Sequence, residues 1–209
     1  MYPEKGKALS KRELHKEARR NEIIEAGLLE FISQGFMSTR LDDVAERAGI
    51  SKGTIYLYFD NKEKLFEEVV RKNLSPSPDK ALDLLADFEG SAEELLTLHL
   101  EGVYALLNRE HIPALVSMMV GEVSRFPKLT EFFFKEMVSR HQGLLSGIIK
   151  KGIDSGEFIE TGLEAYPQIL TSPSIMLAIW EIQFNEHSPI DIAAYARTHI
   201  DFVLRGLKA

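Results

Sequence analysis

The sequence predicts an all-α protein: an N-terminal three-helix helix-turn-helix domain followed by a larger C-terminal helical domain. Three observations predict it. Apolar residues recur at helical spacing, and no stretch alternates with period two between hairpin turns. Two short helical segments flank a tight turn at Gly49. The run Ser75-Pro76-Ser77-Pro78 breaks the helical pattern, which sets the domains at 1-74 and 75-209.

The elements of the first domain follow in order. Residues 12–34 carry Ile23, Ile24, Gly27, Leu28 and Phe31 on one stripe, and Gly35 stops that helix. Thr39 opens the second helix, with Asp42 at the capping-box position and Leu41, Val44 and Ala45 on its inner face. Ser51 starts a short third helix, stapled by Ile50 and Ile55. Asp60 starts a fourth, with Glu63 at the capping-box position. Beyond the boundary, helices are expected over 92–108, 113–125, 129–155, 166–186 and 189–206, with Pro173 kinking or delaying the fourth of these. Ser188-Pro189-Ile190-Asp191 is a strong start for the last.

Composition narrows the function classes. There is no cysteine, so thiol chemistry and disulfides are excluded. The polar N-terminus lacks the apolar core of a signal peptide, and the densest apolar stretch is too short to span a membrane. The chain reads as cytoplasmic, with no membrane partner. Its net charge is −7, but residues 1–72 sum to +1 and the remainder to −8, so only the first third can approach phosphate without strong repulsion. The sequence holds no nucleophile elbow, zinc-ligand spacing or dinucleotide fingerprint, which argues against an enzyme and against any cofactor or metal.

On the third helix, Ile55 and Phe59 share one face, leaving Tyr56 and Leu57 outward beside Gly53. Such large outward groups either meet DNA or pack on the C-terminal domain. Facing DNA, Tyr56 would hold a phosphate, Lys52 and Thr54 would lie near base edges or phosphates, and Leu57 would meet a thymine methyl. Lys62, in the first turn of the fourth helix, is expected on a phosphate drawn to the free N–H groups there. The basic run Lys5, Lys7, Lys11, Arg12, Lys16, Arg19 and Arg20 forms either a minor-groove or phosphate-contacting arm or a disordered tail leading into a solvated helix.

The stretch from Arg20 to Val70 resembles the TetR/AcrR family of transcriptional regulators. Its parts are IIEAGLLEFISQGF, then T-x-x-x-D-V-A-x-x-A-G, S-K-G-T-I-Y-x-Y-F and N-K-E-x-L. The resemblance implies DNA contacts at Lys52, Gly53, Thr54, Tyr56, Tyr58 and Lys62, with Thr39 and Arg40 beside the backbone. One departure is Asp42, where many members carry a basic residue. The resemblance also implies a homodimer with a divergent ligand domain. The last two helices match in position the pair that dimerises, with Ile175, Ile179 and Ile182 on one and Ile192, Tyr195, Ala196, His199 and Val203 on the other. Tyr104, Met118, Met119, Phe133, Met137, Trp180 and Phe184 either line a pocket or form plain core, and His141 could offer a polar contact.

The expected function is a repressor that binds a palindromic double-stranded DNA operator as a dimer and is released by a small apolar effector. The alternative is a helix-turn-helix interaction module without DNA binding, to which the acidic net charge lends weight.

Overall fold

The computed structural model describes residues 10–74 and 88–208. The helices are α1 Lys11–Ser38, α2 Leu41–Arg47, α3 Lys52–Ile55, α4 Lys62–Leu74, α5 Ala92–Leu107, α6 Ile112–Glu122, α7 Pro127–Phe133, α8 Ser139–Ser155, α9 Gln168–Gln183 and α10 Ile192–Leu207. No strand occurs among the described residues. The chain divides into two compact units, the first ending at Val69 and the second beginning at Val70, so the division falls inside α4. The Ser-Pro run at 75–78 and the part of the expected basic arm before Ser10 lie outside the described residues, while its cations from Lys11 to Arg20 fall on α1, exposed except for half-buried Arg20.

In the first unit, Ser10 and Glu13 close a capping box at the start of α1, where Ser10 Oγ accepts from the Glu13 N–H. Gly35 has φ 80 and ψ 159, a conformation that breaks the helix as the sequence predicts, before a last turn to Ser38. The core is a triad of rings: Phe31 lies 5.1 Å from Phe66, and Phe36 lies 5.0 Å from Phe66. Ile23, Val44, Ile55, Leu65 and Val69 are fully buried around it.

Three helix starts differ from expectation by one position or more. Thr39 does not cap α2. Its hydroxyl turns back and donates to the carbonyls of Gly35 at 2.8 Å and Glu30 at 3.3 Å, while Arg40 sits at the cap and its N–H donates to Asp43. Asn61, not Asp60, caps α4, its Oδ1 accepting from the Lys64 N–H at 2.8 Å. Asp191, not Ser188, caps α10. In each case the side chain fits more than one neighbouring slot by chemistry, and the path of the preceding loop selects among them.

The second unit gathers Leu96, Leu100, Leu145, Ile148, Ile149 and Leu170, with Ile200, Val203 and Leu207 of α10, into one core. The helix expected over 129–155 is α7, a π-turn at Phe134–Val138, and α8. Pro173 leaves α9 unbroken, and the hydroxyls of Thr171, Ser172 and Ser174 donate to carbonyls in the same turns. After α8, Gly156 takes φ 79 and Phe158 folds back so that its N–H donates to the Gly152 carbonyl at 3.0 Å. No helix among the described residues is long and apolar enough to cross a membrane.

Candidate nucleic-acid interface

The surface is built on α2, the turn at Gly49 and α3. Gly49 has φ 64, which suits a residue without Cβ. Ser51 starts α3 by accepting from the Thr54 N–H at 3.2 Å, and the two hydroxyls lie 2.7 Å apart. α3 is only one turn, and the chain stays coiled beyond it as the N–H groups of Tyr58 and Phe59 both donate to the Ile55 carbonyl at 3.0 Å. This orients the side chains. Ile55 and Phe59 enter the core at 0% and 3% exposure, while Tyr56 and Leu57 stand outward at 49% and 78%. A methyl on Gly53 would meet only Ser51 Oγ, at 3.9 Å, Arg40 is exposed and Tyr58 is half-buried. A shallow concavity of about 540 Å³ lies between Arg40, Tyr56, Asn61 and Glu63.

Two residues expected at the DNA backbone, Thr39 and Lys62, border the same concavity but have their polar groups engaged within the protein. Thr39 is 1% exposed, and its hydroxyl is spent on α1. Lys62 is half-buried, and its ammonium lies against the end of α1. Its Nζ donates to the carbonyls of Phe36 at 2.7 Å, Met37 at 2.8 Å and Thr39 at 3.2 Å, and lies 4.7 Å from the centre of the Phe36 ring. An ammonium has three protons, and these carbonyls take all of them. They belong to the end of α1, where carbonyls lack helical partners and attract cations.

Sequence reasoning missed Glu30. Its side chain is 7% exposed, one oxygen accepts from Arg47 Nε at 2.5 Å and the other from Gln34 Nε2 at 2.6 Å. This ties α1 to α2 and fixes the angle at which the interface is presented. The signal was present: Glu30 falls seven residues after Ile23, on the buried stripe, where a charge requires a partner.

In the second unit the expected pocket and dimer residues sort differently. Tyr104 is buried, and its hydroxyl lies 2.8 Å from His199 Nδ1, so a residue assigned to the pocket pairs with one assigned to the dimer face. Ala196 and Val203 are buried within the protomer and cannot serve as interface knobs. Phe184, expected in the pocket, is 41% exposed and packs on Trp180, whose Nε1–H donates to the Ser188 carbonyl. Met119 is core, whereas Met118, Phe133, Met137 and His141 are half-buried. Of the dimer residues, Ile175 and Ile182 are exposed, and Ile179, Ile192 and Tyr195 are half-buried. A concavity of about 720 Å³ bordered by Phe88, Glu94, Thr97 and Leu98 includes none of the expected pocket residues. No group of three or more metal-ligating side chains occurs among the described residues.

His99 and His141 meet with ring centres 4.7 Å apart, and His99 Nε2 is buried with no hydrogen-bond partner among the described residues. Burial, reinforced by His141, pushes the His99 pKa down to about 4, and burial lowers that of His141 as well. An unfolded imidazole titrates near 6.5, so below that pH the unfolded chain takes up the proton first. Stability is full above pH 6.5 and is lost as pH falls toward 4, His99 contributing about 3 kcal/mol. His99→Leu is expected to flatten the decline in the urea midpoint between those limits; an unchanged pH profile would show that His99 titrates normally.

The comparisons with known proteins bear on the whole chain. Residues 23–69 match the model of "Bacterial regulatory proteins, tetR family". The HTH-type transcriptional regulator YfiR of Bacillus subtilis is 33% identical over 150 residues, covering 69% of this chain and 70% of its own. The HTH-type transcriptional repressor KstR2 of Rhodococcus jostii is 24% identical over 197 residues, 92% of each. The solved structure of the regulator FadR from Bacillus subtilis in complex with stearoyl-CoA shares the fold, with a TM-score of 0.69 at 22% identity over 90% of this chain and 98% of that one. These relatives are regulators of transcription, not enzymes. The chain belongs to the TetR family of bacterial transcriptional regulators.

Proposed function

We propose that this regulator is a cytoplasmic repressor that binds a palindromic operator as a homodimer and is released by an apolar ligand. The observation that carries the DNA-binding face is the outward pair Tyr56 and Leu57, large groups exposed on a helix whose other face completes the core. The homodimer is supported by exposed Ile175 and Ile182 on α9 and by Phe202 on α10, which is 77% exposed. In the ligand-bound relative the ligand is stearoyl-CoA, so a long-chain acyl thioester is the first effector to try. Coupling is proposed to run through α4, which gives Leu65, Phe66 and Val69 to the first core and, in the second unit, sets the Arg71 guanidinium 4.6 Å from the Phe132 ring centre.

Selection from random duplex DNA with purified protein tests the reading. The expected product is a palindrome whose half-sites lie on one face of the duplex. An unselected pool would leave the interaction module. A variant with Ile175→Glu and Phe202→Glu should sediment as a monomer and lose the palindrome, whereas a dimeric variant would place the interface elsewhere. Stearoyl-CoA should weaken operator binding, and operator should weaken ligand binding by the same factor.

A further inference from the structure

Between Thr39 and Phe66 the chain has five cations, and four are engaged within the protein. Arg47 is held by buried Glu30, Lys62 by its carbonyls, Lys64 by Glu67 at 2.9 Å, and Lys52 by Asp42 at 2.5 Å. Arg40 has no ionic partner among the described residues. The Lys52–Asp42 pair differs from the others in position. It joins the first turn of α2 to the first residue of α3, on the same surface as Tyr56 and Leu57, and its side chains are 69% and 41% exposed. It is therefore the pair that an approaching phosphate would meet and exchange.

We propose that Asp42 is a positioning residue that holds Lys52 in the free protein and thereby suppresses attachment to DNA of arbitrary sequence. This rests on the DNA-binding reading above. When DNA arrives, Lys52 exchanges a carboxylate for a phosphate. A bare carboxylate is then left beside the phosphate chain, where it gathers a cation from solution. The counterion released by Lys52 is thus offset by the one Asp42 takes up, and the electrostatic gain that drives binding to every sequence is forfeited at this position. The raised proton affinity of Lys52, caused first by its hydrogen bond to Asp42, accords with the pairing. Among the described residues the other carboxylate oxygen, Oδ1, has no hydrogen-bond partner, so substitution at Asp42 breaks no side-chain bond there except the one to Lys52. With a chain charge of −7, such a device further lowers attachment to bulk DNA.

The experiment measures binding of the full chain to a labelled random-sequence duplex over a salt series. For Asp42→Asn, the salt slope should steepen by about 1, which makes binding roughly tenfold tighter at about 0.1 M salt. Lys52→Met in the same chain should abolish that gain, because the effect acts through Lys52. A structural role would move the melting temperature without changing the slope, and Asp42→Ala provides a second substitution with the same expected slope. An unchanged slope in Asp42→Asn, or a gain that survives Lys52→Met, overturns the proposal while leaving DNA binding intact. Should neither wild type nor variant bind any duplex, selected or random, the DNA-binding reading fails and the role of Asp42 falls with it.

Discussion

Arg47→Met is expected to destabilise the helix-turn-helix unit by about 3 kcal/mol. Removing the guanidinium strands the Glu30 carboxylate, 7% exposed, with Gln34 as its remaining side-chain donor. Loss of one partner from a buried pair costs about 3 to 5 kcal/mol, and the lower figure applies because Arg47 itself is 41% exposed and water can follow it in. The apolar double variant Glu30→Leu with Arg47→Met should recover most of the loss, since it removes the stranded charge together with its partner. Urea unfolding of both variants decides the matter. A loss under about 1 kcal/mol for Arg47→Met would mean that the pair behaves as a surface contact.

Gly152→Ala is expected to cost the second unit about 3 kcal/mol. A methyl at this position would lie 2.6 Å from Cγ of Phe158, and closer still to Cδ2, and the opposing atoms are a buried ring rather than a flexible tip. Phe158, 5% exposed, packs in the same core as Leu145 and Ile149, so the ring has nowhere to retreat. Both the ring and the following chain would have to lift from the end of α8. Phe158→Leu should rescue part of the loss in the double variant, which a helix-propensity effect would not allow. Gly152→Ala alone should otherwise stabilise a helix interior by up to about 1 kcal/mol, so even the sign of the change discriminates.

The fold was legible because burial follows period: Ile23, Leu28, Phe31, Ile55 and Phe59 lie inward where helical spacing puts them. The outward Tyr56 and Leu57 were legible for the same reason. Lys62 was not, because a lysine in a first helical turn looks the same in sequence whether it reaches for phosphate or for the carbonyls of another helix. Those carbonyls, at Phe36, Met37 and Thr39, are distant in sequence and carry no side-chain signal. The faces of α10 were confused for a different reason. The helix has apolar residues on both sides, and spacing alone does not tell the face that meets its own core, Ala196 and Val203, from the one left outside with Phe202. The Tyr104–His199 hydrogen bond spans ninety-five positions, beyond any local pattern.

The inward Lys62 also governs how this unit can come apart. The turn from Phe36 to Thr39 has its carbonyls gathered by a single ammonium from α4, and the same turn is anchored through Thr39 to α1. Fraying the end of α1 by itself would strand a charge and several acceptors together. Releasing α4 by itself would do the same. Partial opening is therefore penalised from either side, and the first unit should open as one cooperative block, in which the short α3 is protected from solvent exchange as long as its longer neighbours hold.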